Sequence, residues 1–200
     1  GAPDARERPE AGGATADTGL PVTEVSVGDW LYDAVKYVYD MGLFNGTSDT
    51  LFEPDTPMTR GMFTTVLGRA SGVDTNVGYE NVFADVDPNE YYAPYIAWAS
   101  SNGIVEGNGD GTFTPDENIT REQMAKIFLD YYGYIGEGPE GAWAIALEYG
   151  DVDQISDWAV EGVMFCTLQG LLEGKENNMF DPKGNALRSE VATVLMRANL

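Results

Sequence analysis

The sequence predicts a mainly α-helical protein built from three helix-loop-helix repeats. Two observations support this fold class: one motif recurs three times at fixed internal spacing, and an amphipathic helical pattern flanks every copy. Units this short bury little apolar surface alone, so we expect the three repeats to pack together around a shared core.

The repeated motif begins at a glycine turn and ends at an arginine. Its second copy, residues 103–121, reads Gly-Ile-Val-Glu-Gly-Asn-Gly-Asp-Gly-Thr-Phe-Thr-Pro-Asp-Glu-Asn-Ile-Thr-Arg. The first copy spans residues 42–60 and the third spans residues 170–188. In every copy the arginine follows the first glycine by 18 residues, and a phenylalanine follows the second glycine by 6. This regularity predicts a tandem array with a period of about 60 residues.

In the first repeat, helix signals lie on both sides of the motif. Asp29 can cap a helix whose apolar positions run from Trp30 to Met41 along one face. Gly42 is expected to end that helix as a C′ glycine. Thr59 is expected to cap the second helix.

The other two repeats follow the same pattern with two differences. In the second repeat Thr120 to Gln123 forms a capping box, and Gly133 is expected to stop the helix. In the third repeat Leu187 replaces the threonine and cannot cap. Each repeat also has a short lead-in, Val-Thr-Glu-Val, Phe-Ala-Asp-Val or Tyr-Gly-Asp-Val.

These signals predict where the repeats begin and end. A leader rich in glycine, alanine, proline and acids is expected to be disordered, because it offers little apolar surface to bury. The predicted units are a leader over 1–21, a first repeat over 22–72, a linker over 73–80, a second repeat over 81–133, a linker over 134–147 and a third repeat over 148–200.

Composition excludes several functions. The formal net charge is −22, with 33 acidic and 11 basic residues, so the chain is a poor ligand for nucleic acid or an anionic membrane. No apolar run is long enough to insert into a membrane. The chain has no histidine and a single cysteine, Cys166, which we expect to be a small buried hydrophobe. We therefore expect no metal site and no cofactor.

Taken together, the lead-in Phe-Ala-Asp-Val, the turn Gly-Ile-Val-x-Gly, the segment Asp-Gly-Thr-Phe-x-Pro and the end Ile-Thr-Arg-Glu resemble S-layer homology (SLH) repeats. The resemblance covers roughly residues 22–200. It implies a pseudo-threefold, three-pronged body with a central helical bundle. It also implies that grooves between neighbouring repeats hold a secondary cell-wall polysaccharide, often one carrying pyruvate ketals, and that the Thr-Arg motif binds it.

The arginines that end the motif, Arg60, Arg121 and Arg188, are the main candidate ligands. Each falls at the first helical position, where a cation opposes the helix dipole, so helix stability does not ask for it. A guanidinium beside free backbone N–H groups would form a carboxylate receptor. Alternatively, each arginine pairs with an acid such as Glu122 or Glu190 and ties the repeats together. The capping box predicts Arg121 as the strongest contributor and Arg188 as the weakest.

Other residues of the motif are secondary candidates. The capping threonines could contact the ligand, and the aromatic residues that begin the first helices could stack on a sugar or pack in the core. The second glycines are expected to serve turn geometry, with close approach to a sugar as an additional role. These secondary candidates are Thr59, Thr120, Trp30, Tyr91, Trp158, Gly46, Gly107 and Gly174.

The combined reading predicts a non-catalytic module that anchors a surface or S-layer protein to the bacterial envelope. Its expected partner is a secondary cell-wall polysaccharide or a peptidoglycan-linked glycan, with no nucleic acid and no membrane insertion. We expect an extracellular location at the cell wall and a monomeric isolated module. Two alternatives stay open: a wall-active glycosidase that uses a carboxylate pair, and a protein–protein adhesion module.

Overall fold

The structure, a computed structural model, describes residues 19–200. The first eighteen residues of the predicted leader therefore lie outside the described part. The described chain contains no strand and folds into six α-helices, which confirms the mainly α prediction. They are α1 (Tyr32–Asp40), α2 (Arg60–Ala70), α3 (Ala93–Ser101), α4 (Arg121–Tyr134), α5 (Val160–Leu168) and α6 (Arg188–Ala198).

The helices pack in a cycle that links each repeat to the next. Helix α3 of the second repeat packs on α2 of the first, α5 of the third packs on α4 of the second, and α1 packs on α6. Equivalent contacts therefore close around the molecule. The three-pronged outline and the repeat boundaries stay predictions.

A ring of backbone hydrogen bonds closes the same cycle between equivalent residues. The Met58 N–H donates to the Ala186 carbonyl at 3.0 Å, and the Ile119 N–H donates to the Met58 carbonyl at 2.9 Å. The Ala186 N–H completes the ring by donating to the Ile119 carbonyl at 2.9 Å. All three side chains are buried, so these bonds lie in the interior, where an unpaired backbone group would be costly.

One apolar core runs through all three repeats, as the sequence predicts. The phenylalanines of the motif, Phe52, Phe113 and Phe180, are fully buried and anchor it. Cys166 is also fully buried, and burial raises the pKa of its thiol. Within the predicted second linker, Trp143 packs edge-on against Phe165, so this segment lies on the body.

The predicted caps form at the second helices. The Thr59 hydroxyl accepts a bond from the Met62 N–H at 3.1 Å, and Thr120 and Gln123 form the reciprocal capping box. Leu187 has no hydroxyl to offer, and its own N–H instead donates to Glu190 Oε2 at 2.8 Å.

Two predictions about helix ends are wrong. Helix α1 begins at Tyr32, and the Asp29 carboxylate turns back to accept a bond from the Ser26 N–H at 2.7 Å instead of capping the helix. Helix α4 continues through Gly133 to Tyr134, because Gly133 takes an ordinary helical conformation and the left-handed residue that follows is Gly136.

The predicted turn role of the second glycines is also wrong. Gly46, Gly107 and Gly174 do not adopt positive φ angles. Glycine is required at two of these positions because a ring lies against the backbone: a Cβ at Gly107 would be 2.4 Å from Phe83, and one at Gly174 would be 2.9 Å from the Tyr149 ring. At Gly46 the obstacles are the Leu51 carbonyl at 2.3 Å and the Tyr39 hydroxyl at 2.6 Å.

Candidate functional site

The three motif arginines reach across the boundary to the next repeat. Arg60 Nε donates to the Phe113 carbonyl at 2.9 Å, and its guanidinium carbon lies 4.4 Å from the Phe113 ring centre. Arg121 makes the same contacts with Phe180, at 2.8 Å and 4.9 Å. Arg188 closes the cycle on Phe52, at 2.8 Å and 4.8 Å. Each arginine therefore holds the neighbouring loop with a hydrogen bond and a cation–π contact.

The helix N-termini are not open anion receptors, contrary to the premise drawn from the sequence. The first two N–H groups of α2 donate to the carbonyls of Glu117 and Pro115, both at 2.8 Å. The corresponding groups of α4 donate to Gly184 and Pro182, and those of α6 donate to Thr56 and Pro54. The loop of the next repeat thus satisfies the donors that a helix normally leaves unpaired.

The arginines differ in how many guanidinium donors the protein itself uses. A second bond, from Nη2, goes to the Glu106 carbonyl from Arg60 at 3.3 Å and to the Asn45 carbonyl from Arg188 at 2.5 Å. Arg121 makes the equivalent bond and in addition pairs Nη1 with Glu190. Within residues 19–200, Nη1 has no partner in Arg60 and Arg188.

Burial shifts the pKa of two of these guanidinium groups. Desolvation lowers the pKa of Arg60, while Glu117 and Asp85 oppose that change. Desolvation likewise lowers the pKa of Arg188. A guanidinium nevertheless keeps its proton in proteins, so both sites stay positive at neutral pH.

A groove of about 470 Å³ lies beside α4 and is lined by residues of all three repeats. We call it the α4 groove. Of the predicted site residues, it contains Arg60 from the first repeat, Gly107 from the second and Trp158 from the third. The remaining lining residues are Ile104, Val105, Glu106, Asn108, Gln123, Lys126, Ile127 and Asp130. Arg60 is 7% exposed and Trp158 is 52% exposed, so a buried cation and an open indole face share one groove.

A second groove, of about 730 Å³, lies beside Trp30. Trp30 is 80% exposed there, and Lys175 and Asp181 form an ion pair at 2.7 Å in the lining. Neither groove is lined by the other predicted site residues, which are Arg121, Arg188, Thr59, Thr120, Tyr91, Gly46 and Gly174.

The aromatic residues at the starts of the first helices are not core residues. Tyr91 is 50% exposed, and Trp30 and Trp158, at the equivalent positions of the other two repeats, are exposed as well. Trp98 in α3 and Phe165 in α5 are buried. The exposed column therefore offers flat apolar faces of the kind that suit a sugar ring.

Sequence reasoning missed the acids of the lead-ins. Asp85 accepts bonds from the N–H groups of Phe113 at 2.8 Å and Thr114 at 2.7 Å. Asp151 makes the same pair of bonds in the third repeat, and Glu24 does so in the first. Each acid thus clamps the loop whose carbonyl receives an arginine. The recurring acid in the three lead-ins was the available signal.

Sequence reasoning also missed the partners of Glu122. This carboxylate is 3% exposed and accepts bonds from Ser156 N–H and Oγ, both at 2.9 Å. Lys183 Nζ pairs with it at 2.6 Å. Ser156 lies two residues before Trp158, so Glu122 holds the backbone next to the tryptophan.

The α4 groove carries both signs of charge. Lys126 pairs with Asp130 one turn later on the same helix. Burial raises the pKa of the Asp130 carboxyl, Lys126 lowers it, and the nearby Glu106 and Glu161 raise it. Over residues 19–200, no cluster of histidine, cysteine or acidic side chains could hold a metal ion, and no helix is long and apolar enough to cross a membrane.

Fold and grooves together define a helical repeat module whose inter-repeat surface joins cations with exposed aromatic faces. The sequence model of the S-layer homology domain matches residues 25–62, 82–125 and 148–192. The chain belongs to the S-layer homology domain family.

Similar proteins are much longer than this chain. An amylopullulanase of Thermoanaerobacterium thermosulfurigenes is 33% identical over 84% of the chain and 9% of its own length. The S-layer protein sap of Bacillus anthracis is 23% identical over 92% of the chain and 22% of its own length. A cellulosome-anchoring protein of Acetivibrio thermocellus is 25% identical over 74% and 33%. The chain spans less than a fifth of the length of the first curated relatives. Membership of the S-layer homology family, together with similarity to S-layer proteins, associates the chain with the cell surface.

Proposed function

We propose that the chain is a non-catalytic anchoring module that binds an anionic cell-wall polysaccharide in its inter-repeat grooves. The observation that supports this most directly is the α4 groove, where Arg60, Lys126 and the open face of Trp158 lie together. Two cations in one groove are notable in a chain of net charge −22. They provide donors for a carboxylate, and the indole provides a surface for a sugar ring.

Within this proposal Arg60 is the principal carboxylate ligand. It lines the α4 groove and retains an Nη1 that no described residue uses. Arg121 is 2% exposed and its Nη1 is paired with Glu190, so it contributes less than the capping argument predicts. Arg188 also retains its Nη1, although it lines neither groove. The capping threonines and the motif glycines act as positioning residues.

The proposed biological role is to tether a larger surface protein to the bacterial envelope. S-layer proteins and a cellulosome-anchoring protein carry similar sequences. Several similar proteins are named as glycan-degrading enzymes, and this chain matches only 9% to 18% of the first three of them. We infer that the shared segment supplies attachment and not turnover. A pyruvate ketal is the proposed source of the ligand's negative charge.

The test is co-sedimentation with purified bacterial walls, before and after chemical removal of the wall polysaccharide. Binding should disappear with the polysaccharide. Trp158→Ala should weaken binding by about 5- to 30-fold, as expected for an aromatic residue at a ligand contact. Trp30→Ala removes the equivalent tryptophan from the second groove and should weaken binding less than Trp158→Ala does.

Other outcomes would support the alternatives. Retained binding to stripped peptidoglycan would contradict the polysaccharide proposal. Binding only to walls that still carry surface proteins would favour an adhesion module. Release of reducing sugars in proportion to protein concentration would favour a glycosidase.

A further inference from the structure

The α4 groove holds an acid where an anionic ligand is proposed to bind. Asp130 lines the groove and its carboxylate pairs with Lys126, the cation available beside Arg60. The two side chains are 21% and 29% exposed, so the pair is only partly shielded from solvent. Glu106 adds a second carboxylate to the same lining.

This acid is particular to the second repeat. The positions of Lys126 and Asp130 correspond to Thr65 and Arg69 in α2, and to Thr193 and Arg197 in α6. The other two helices thus carry a cation where α4 carries a carboxylate. A ligand carboxylate that approaches Lys126 in the α4 groove has to compete with Asp130.

We propose that Asp130 is a proton-linked specificity residue, so that a carboxylate-bearing sugar binds the α4 groove together with one proton on Asp130. This inference rests on the proposed function, because it assumes that the groove binds an anionic glycan. In the bound state Lys126 pairs with the sugar carboxylate, and Asp130 becomes a neutral hydrogen-bond donor. No covalent bond changes.

The charges around Asp130 favour that proton. Glu106 from the repeat loop and Glu161 from α5 raise the pKa of Asp130, in addition to burial, and Lys126 on α4 opposes them. Arg60 is the remaining cation of the groove. A ligand carboxylate adds a negative charge and withdraws Lys126 from Asp130, and both changes raise the pKa further.

The direction of the pH dependence follows from linkage. If the ligand favours the protonated carboxyl, a proton on that carboxyl favours the ligand by the same factor. Affinity should therefore rise as pH falls through the range between the Asp130 pKa of the free protein and the higher value of the complex. It should level off below that range.

The probe is a methyl hexopyranoside with a 4,6-pyruvate ketal. The control is the 4,6-isopropylidene ketal, in which a methyl group replaces the carboxylate. Calorimetry in buffers of different ionisation enthalpy measures the protons taken up on binding. We expect uptake of a fraction of a proton for the anionic sugar, none for any residual binding of the neutral one, and a Kd about fivefold lower at about pH 5 than at about pH 7.5.

Variants assign the proton to Asp130. Asp130→Asn should tighten binding at pH 7.5 by about fivefold and remove both the pH dependence and the proton uptake. Asp130→Glu should keep the pH dependence. The matched control is Asp40→Asn, which breaks the Lys36–Asp40 pair of the same spacing on α1, at 2.9 Å, and lines neither groove. It should bind like the parent protein.

The outcomes separate the two proposals. If the parent protein binds the anionic sugar with no proton uptake and equal affinity across the pH range, the Asp130 inference is wrong and the proposed function stands. Unchanged pH dependence in Asp130→Asn also overturns it. If the parent protein binds neither the sugar nor intact walls, the proposed function fails and the inference fails with it.

Discussion

At the residue scale, equivalent side chains make equivalent contacts but have different capacity left for a ligand. All three motif arginines hold a phenylalanine carbonyl and ring of the next repeat, and this role accounts for their burial. Arg60 can therefore hold the next repeat and bind a ligand at the same time, because its hydrogen bonds to that repeat use only Nε and Nη2. In Arg121 the pair with Glu190 takes up the remaining edge of the fork.

The lead-in acids give a prediction at the same scale. Asp85→Asn should lower the free energy of unfolding by about 1.5–3 kcal/mol, because the two backbone N–H groups donate to the two oxygens of the carboxylate, and an amide offers only one oxygen and no charge. Thr114 makes the loss more costly, since its φ of 53° is strained without the clamp. Urea unfolding measures the change. Asp116→Asn, an exposed acid in the same loop, should stay within about 0.5 kcal/mol, and an equal effect of both variants would refute the clamp.

At the element scale, the cyclic helix pairs achieve close contact in two opposite ways. Where α3 meets α2, the large residue is Tyr95 and the small one is Gly68, whose added Cβ would lie 2.4 Å from the tyrosine ring. Where α5 meets α4, the small residue is Gly162, and an added Cβ would lie 2.8 Å from the Lys126 backbone. Leu129 in α4 occupies the position of Gly68. The glycine therefore lies on the other helix in this second interface.

This packing predicts opposite effects for two helical glycines. Gly162→Ala should destabilise the protein by about 1–3 kcal/mol, because the new methyl group overlaps backbone that cannot yield locally. Gly133→Ala should stabilise it by about 0.5–1 kcal/mol, since Gly133 is helical and a Cβ there meets nothing within 4 Å. Both are measured by thermal or urea unfolding. Stabilisation by Gly162→Ala would show that α5 does not approach α4 this closely.

At the scale of the whole molecule, the cycle of contacts closes because the third repeat packs against the first. Helix α1 packs on α6, Arg188 holds the loop at Phe52, and the Met58 N–H depends on the Ala186 carbonyl. A chain that stops before the third repeat would expose the apolar faces of α1 and α4 together. Stability should therefore be a property of the complete cycle.

Removal of residues 149–200 tests this property. The shortened chain should lose cooperative unfolding and much of its helicity, because two of the three inter-repeat contacts are gone. Circular dichroism during heating measures both. Addition of the separate third repeat should restore helicity if the cycle can close again. An unchanged melting temperature in the shortened chain would contradict the shared core.

The net charge gives a second prediction for the whole molecule. A protein of charge −22 and an anionic polymer repel each other at long range, although the α4 groove attracts the carboxylate at short range. The association rate should therefore rise with salt between 0.01 and 0.1 M, as the Debye length falls from about 30 Å to about 10 Å. Surface plasmon resonance on immobilised wall polymer measures the rate. A falling association rate would mean that local cations dominate the encounter.

The sequence by itself determined the repeats, the order of the helices and the threonine caps. These features depend on local periodicity and on side-chain chemistry within a few residues, and the same local pattern recurs in all three repeats. The SLH resemblance rests on the same local signals.

Only the tertiary structure decided which arginine meets which loop and which groove contains Trp158. It also decided that the helix N–H groups are occupied, and that Gly107 and Gly174 leave space for an aromatic ring. The arginine and helix N–H contacts join residues about 50 to 140 positions apart, around a cycle that local sequence patterns do not specify. The hydrogen-bond partner of each of these polar groups therefore depends on which residues of the next repeat pack against it.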